Sequence, residues 1–447
     1  MGTITDKFVQ YLYDLTQQDF SDQVKCKSKE HLIDYLAAAY GGAGVNRKVT
    51  EEIAGDYPGD VHVIGYHKRV SMDAAILLNA FNAHVLELDD GHRNAMMHLA
   101  APIFSGLLAV AEKKEKNLAD LLKGAVIGYE TAVRLGTVIQ PSHKRKGFHA
   151  TGTCGAIGTA MGIAAMLGYD KAGMKNVLSA AATSASGLLE VITGQSEQKP
   201  YNVAQAAAAG TNAALFGKYF SGPEDVLGGP RGFIKCFSDK SVEEELTKPQ
   251  EKLGIWGAYM KPYAACRHCH APIEAALNLR KEYDFAVTDI EAVVVTTYEL
   301  AVYGHDHWSI TSVGEAKMSI PYSVAAALLY HTAGADAFTE DKFRDSRACE
   351  LARKVKVVSS EELTALTRER RAAIVTIHLQ DGRIWENRVD YPKGEPENPI
   401  SQEELEAKFV SLVTSAGYSE PYCTDILKRI NGSEPMKIRD LLSAMER

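Results

Sequence analysis

Five segments of this 447-residue sequence gather titratable side chains beside helix ends or loops. The first is Glu87-Leu88-Asp89-Asp90-Gly91-His92-Arg93, with His98 just ahead of the apolar run APIFSGLLAVAE. Carboxylates spaced this way can orient an imidazole or accept a proton. The second runs from Lys144 to Gly152 and sets His149 at the mouth of a glycine-rich helix. An imidazole there titrates near working pH, and the free N–H groups of a helix start can hold an anion. The third and fourth centre on Lys199 and Lys261, each in a Lys-Pro-Tyr triplet. Proline stiffens the chain, and the ammonium acts as a point charge against a carboxylate. The fifth is Ser319-Ile320-Pro321-Tyr322, whose phenol can donate to a developing oxyanion. Two lysines, an arginine and several histidines without a cofactor motif suit a ligand carrying several carboxylates.

Other chemistries lack their residues. There is no GxxxxGK[ST] phosphate loop, and the glycines at 152 to 162 neither fit GxGxxG nor follow a predicted strand. HExxH and GxSxG are absent, and Ser196-Glu197-Gln198-Lys199 matches SxxK without the companion SDN and KTG elements. The run Cys266-Arg267-His268-Cys269-His270 crowds two thiols and two imidazoles, but no second ligand pair follows at zinc-site spacing. His305-Asp306-His307 is expected to be a polar loop. No metal or cofactor is expected.

The charge balance is 57 Asp+Glu against 49 Lys+Arg, which gives no global attraction to nucleic acid or anionic membranes. Seven scattered cysteines do not form a secreted disulfide framework and are expected to be free thiols. The first residues lack the basic-then-apolar order of a signal peptide, and no apolar run reaches membrane-span length. The expectation is a cytoplasmic protein.

These segments need elements to hold them. Up to about residue 260 the apolar residues recur at helical spacing, and this half reads as all helix. Gly152, Gly155, Gly158 and Gly162 fall on one side of a helix, where they let another backbone approach. Beyond 265, TDIEAVVVTTYEL is rich in β-branched residues, and Asp381-Gly382 between two alternating runs signals a β-hairpin. PYSVAAALLYHTAG and SRACELARKVKV read as helices between them. Ser401 with Glu404 forms a capping box that starts a final helix. The fold expected is mainly α: a large all-helical domain from residues 1–264 plus 401–447, with a smaller α+β domain, 265–400, inserted.

The segments ELDDGHR, FHATGTCGAIGTA, QKPYNVAQAAAAG, KPYAACRHCHAPIEAAL and SIPYSVAAAL resemble the MmgE/PrpD family in order and approximate spacing, over about residues 30 to 430. That family includes 2-methylcitrate dehydratase, cis-aconitate decarboxylase and iminodisuccinate epimerase. The resemblance implies that the inserted domain is a lid, that the protein is a homodimer, and that catalysis in the interdomain cleft needs no cofactor. It places active-site residues at Glu87, Asp89 or Asp90, His98, His149, Lys199, Lys261 and Tyr322, with Arg267 and His270 matching a CRxxH signature. Glu87-Leu88-Asp89-Asp90-Gly91 departs from the usual Asp-Phe-Asp/Asn-Asp-Thr, and Cys-Arg-His-Cys-His looks closer to the epimerase-like branch.

The expected reaction is lyase chemistry on a small di- or tricarboxylic acid, foremost dehydration of a 2-methylcitrate-like hydroxy acid. Epimerisation, decarboxylation, or carboxylate binding without catalysis are the alternatives. In this scheme Lys199, Lys261 and Arg267 neutralise substrate carboxylates, and Glu87 and His270 belong to the binding set. His149 abstracts the proton, His98 or Tyr322 acts as acid, and Asp89 or Asp90 orients an imidazole.

Overall fold

The computed structural model describes residues 2–193, 196–239, 243–432 and 435–446. The fold is mainly helical, and its centre is the helix Ala150–Met166, in which every residue is buried. Such a helix shows no polar face because neighbours cover it all round. Helices Ala100–Lys113, Leu118–Ile139 and Lys199–Phe216 pack against it. The small residues explain how they fit. A Cβ on Gly158 would lie 2.8 Å from the Gly128 carbonyl oxygen, and one on Gly162 would lie 2.7 Å from that of Gly124. Gly155 instead faces Pro102, and Gly152 faces the Ser186 carbonyl oxygen and the Asn202 side chain. The four glycines therefore admit several different neighbours rather than a single backbone.

The amino-terminal half is not wholly helical. Strand Pro58–His62 pairs with Arg69–Val70, and Gly91–His92 pairs antiparallel with Ala258–Tyr259. Two-residue strands leave no periodicity to read. The second pair matters most for the site, because it ties the acidic segment near residue 90 to the chain leading into Lys261.

The β-rich region forms a four-stranded sheet in the order Val355–Ser359, Ile290–Thr297, Ala373–Leu379, Ile384–Val389. The first pair is parallel and the others are antiparallel. The Asp381-Gly382 hairpin is present, with Gly382 at φ 88. Helix Ser346–Arg353 stops earlier than the sequence suggests, because the following β-branched Lys-Val-Lys-Val run pairs with Ile290–Thr297 instead. Helix His270–Glu282 lies on the last two strands, and helix Ile320–Tyr330 packs against it. The predicted capping box at Ser401 and Glu404 starts helix Gln402–Ser415, which packs on helix Asp22–Val45. One apolar cluster runs from Phe8 through Val293 to Met445. All seven cysteines are free, and no described helix is long and apolar enough to cross a membrane.

Gly158→Val should lower the unfolding free energy by about 1–3 kcal/mol, because the added side chain meets backbone that cannot swing away. Urea denaturation should report a lower midpoint with an unchanged slope. An unchanged midpoint would mean that the helices are not in contact there.

Candidate active site

Helix Met72–Val85, capped by the Ser71 side chain, ends in a turn where Glu87 adopts φ 56, a left-handed conformation that strains a residue with a Cβ. That turn aims the Glu87 carboxylate inward. One oxygen accepts from Lys199 Nζ and the other accepts from Lys261 Nζ at 2.8 Å. Burial would raise the Glu87 carboxyl, but Lys199 and Lys261 together hold it well below the usual carboxylate range. Lys261 is fully buried, which works against its charge, yet Glu87 and Asp89 keep its ammonium protonated. A third lysine, Lys317, donates to the Val85 carbonyl at 2.9 Å. Burial pushes it down to about 8.

Beside this clamp stands a group of imidazoles. His84 Nδ1 lies 2.9 Å from Asp89 Oδ2, and its Nε2 lies 3.4 Å from Glu87. His98 Nδ1 lies 3.3 Å from the same Asp89 oxygen and donates to the Asp90 carbonyl at 2.8 Å. A carbonyl only accepts, so His98 carries its proton on Nδ1, and its Nε2 makes no hydrogen bond among the described residues. Burial alone would raise Asp89, but His84 and His98 hold it ionised. Burial also drives His84 down to about 4, so its ring is neutral.

Asp90 does different work from Asp89. Its Oδ1 accepts the backbone N–H groups of Leu99 and Ala100 at 3.2 and 2.8 Å, closing the start of helix Ala100–Lys113. Its Oδ2 accepts from Tyr129 at 2.6 Å and lies 2.9 Å from His31 Nδ1. Asp89 therefore orients the histidines at the cavity, whereas Asp90 anchors a helix.

His149 precedes helix Ala150–Met166, and its Nδ1 is 2.6 Å from Asn202 Oδ1. Asn202 lies one turn beyond Lys199 on helix Lys199–Phe216, so both present to the same region. Burial and the nearby Lys199 push His149 down to about 3, leaving a neutral ring whose Nε2 is without a hydrogen bond among the described residues.

His98, His149, Lys199 and Arg267 line one cavity of about 90 Å³, joined by Lys144, Cys266, His268, His305 and Arg371. Arg267 is buried and binds Glu395 through Nε at 2.8 Å and through Nη2, while its Nη1 has no partner among the described residues. Three of the cations expected to meet substrate are thus already paired: Lys199 and Lys261 with Glu87, and Arg267 with Glu395. Lys144 and Arg371 face no carboxylate within ion-pair distance among the described residues, and neither stood out in the sequence as a ligand-binding group. Burial lowers Lys144 to about 8.

Two expected residues point elsewhere. The Tyr322 hydroxyl donates to the Ala337 carbonyl at 2.6 Å, and its ring packs on Phe338. His270 Nε2 donates to the Ala265 carbonyl at 3.2 Å. Neither lines the cavity. His305 is not in a solvated polar loop: it is buried and 3.4 Å from Cys266 Sγ. His84 escaped the sequence reading, although its place three residues before Glu87 and five before Asp89 at a helix end was a usable signal.

Comparison with known proteins adds to this geometry. Residues 6–245 match the MmgE/PrpD N-terminal domain, and residues 263–422 match the MmgE/PrpD C-terminal domain. The chain is 26% identical over 444 residues to the cis-aconitate decarboxylase of Aspergillus terreus, covering 92% of this chain and 89% of that one. It is 28% identical over 453 residues to the cis-aconitate decarboxylase-like protein oryM of Aspergillus oryzae, covering 94% and 92%. With the cis-aconitate decarboxylase of Homo sapiens it shares 23% identity over 429 residues, covering 92% and 87%.

Glu87→Ala would remove the carboxylate in ion-pair contact with two buried ammonium groups, leaving Lys199 without one among the described residues and Lys261 with only the more distant Asp89. It should reduce the unfolding free energy by about 3–5 kcal/mol, read from urea denaturation. A loss below about 1 kcal/mol would show that solvent already reaches the clamp.

Proposed function

The chain belongs to the MmgE/PrpD family, and on that premise we propose that it is a cofactor-independent lyase. Its substrate is a small di- or tricarboxylic acid, and a proton is moved at the carbon beside a carboxylate. The observation that carries this reading is His149: a neutral imidazole with Nδ1 held by Asn202 and Nε2 without a partner among the described residues, in a cavity edged by cations.

The chemical problem is the negative charge that builds up beside an existing carboxylate when a C–H or C–C bond breaks. Preorganised cations in a water-poor site stabilise that charge without having to reorganise. Lys144, Arg371 and the unpartnered Nη1 of Arg267 are the groups available to a substrate carboxylate. Lys199 and Lys261 contribute more remotely, because Glu87, and for Lys261 also Asp89, already answers most of their charge. His149 takes the proton. In the free protein burial and Lys199 depress its basicity, and an arriving polyanion offsets both effects. His98 is favoured over Tyr322 as the acid, because it lines the cavity while the Tyr322 hydroxyl is committed to a backbone carbonyl. To donate from Nε2, His98 must act as the imidazolium, with Nδ1–H kept on the Asp90 carbonyl and the Asp89 carboxylate as counter-charge. Asp89 holds His98, and also His84, in position.

Dehydration of a 2-methylcitrate-like hydroxy acid calls for one base and one acid, and His149 and His98 fill those roles. Decarboxylation of a cis-aconitate-type acid is the second reading, and the similarity to cis-aconitate decarboxylases favours it. Epimerisation would use the same two histidines in succession. Residues 265–400 act as the lid in each case. The chain works as a cytoplasmic homodimer, and the exposed Phe216, Tyr219 and Phe220 offer apolar surface for a partner. Light scattering should give twice the 48.7 kDa chain mass.

Proton NMR in D2O with 2-methylcitrate, citrate, isocitrate, cis-aconitate and iminodisuccinate distinguishes the reactions. A new alkene marks dehydration, loss of CO2 marks decarboxylation, and deuterium uptake without either marks epimerisation. His149→Ala should cut turnover about 10²- to 10⁴-fold while leaving the urea midpoint nearly unchanged. Undiminished turnover would remove His149 from the mechanism, and a lack of exchange on any substrate would favour a carboxylate-binding protein.

A further inference from the structure

One wall of the cavity carries a cluster that the proton-transfer scheme does not use. Cys266 Sγ, a nitrogen of His268 and a nitrogen of His305 all lie within 4.8 Å of one another. They come from two separate segments: Cys266 and the 3-10 turn Arg267–Cys269 that follows it, and the loop before helix Val313–Met318. We propose that these three side chains form a Zn²⁺-binding site whose remaining coordination position opens on the cavity.

Three observations support the assignment. The first is spacing. Zinc binds sulfur at about 2.3 Å and imidazole nitrogen at about 2.0–2.1 Å, so adjacent S and N ligands of a tetrahedron stand about 3.6 Å apart. Cys266 Sγ and His305 Nε2 are 3.4 Å apart, which is already that edge. The second is the backing of both rings. His268 Nδ1 is held by the Tyr298 hydroxyl at 2.6 Å, and His305 Nδ1 donates to the Tyr303 carbonyl at 2.9 Å. A partner on Nδ1 fixes ring orientation and leaves Nε2 as the ligand atom, which is how metal-binding histidines are usually supported. The third is donor chemistry. One thiolate with two imidazoles suits a borderline-soft cation and not Mg²⁺ or Ca²⁺, which take oxygen ligands.

The same geometry contains a competitor. Lys144 Nζ lies 3.3 Å from His268 Nε2, on the lone pair a metal would use. Zinc must displace that ammonium, and the Cys266 thiol must release its proton to solvent on binding. The site is therefore one for which lysine and metal compete. Occupancy would move a cation away from the substrate cavity and put a dication in its wall, so the metal need take no part in the proton transfer.

The full-length protein, stripped with a chelator under reducing conditions, is titrated with Co²⁺ as a spectroscopic stand-in and then with Zn²⁺. The expected result is visible absorption of tetrahedral Co²⁺ together with a near-ultraviolet thiolate charge-transfer band, both abolished by zinc. Cys266→Ser should remove the charge-transfer band and weaken zinc binding at least about tenfold. His305→Gln, checked for folding by circular dichroism, should weaken it similarly, while Lys144→Met should tighten it. Binding without a thiolate band would place the metal at His84, Asp89 and His98, the other buried ligand group among the described residues, and would overturn the proposal. Wild-type protein that binds no Co²⁺ overturns it without reference to any variant.

Discussion

A single buried carboxylate holds this site together. Glu87 sits at the end of a helix in a left-handed turn, and its two oxygens receive lysines 112 and 174 residues further along the chain. An isolated ionised carboxyl in such a place would be prohibitively expensive, and so would two isolated ammonium groups. Each is tolerable only because the others are present. The clamp therefore specifies which segments meet. The Asp89 carboxylate beside it balances the second ammonium, so the positive bias near the clamp comes from Lys317, which donates to Val85.

Around the clamp, neighbouring hydrogen bonds divide residues of the same type into separate tasks. Asp89 and Asp90 are adjacent and both fully buried, yet one faces His84 and His98 while the other closes a helix start and meets His31 away from the cavity. His98 and His149 are both held through Nδ1 by an oxygen acceptor, which leaves Nε2 for other work. His270 and Tyr322 give their hydrogen bonds to backbone carbonyls and do not line the cavity. Identity alone does not separate these cases. The deciding quantity is whether a polar atom is already satisfied inside the protein.

The cations follow the same rule. Lys199, Lys261 and Arg267 are conspicuous in sequence, but most of their charge is answered within the chain. Lys144 and Arg371, in unremarkable basic runs, line the cavity with no carboxylate within ion-pair distance among the described residues. A negatively charged ligand would complete a charge pattern that the protein leaves open.

Local pattern alone determined the helices of the first half, though not its short strands, and the Asp381-Gly382 hairpin and the Ser401 cap, because periodicity, turn chemistry and capping act between residues a few positions apart. Most of the site was also visible as chemistry-bearing segments: Glu87, Asp89, His98, His149, Lys199 and Arg267 all reach it. Tertiary structure alone decided the two-residue strand pair joining Gly91–His92 to Ala258–Tyr259, the pairing of Glu87 with its lysines, and the meeting of His305 with Cys266. It also decided that the Lys-Val-Lys-Val run extends as a strand, since the edge of Ile290–Thr297 supplies its hydrogen bonds. Those outcomes depend on contacts between residues 39 to more than 160 apart, where loop closure and burial choose the partner and composition carries no trace of the choice.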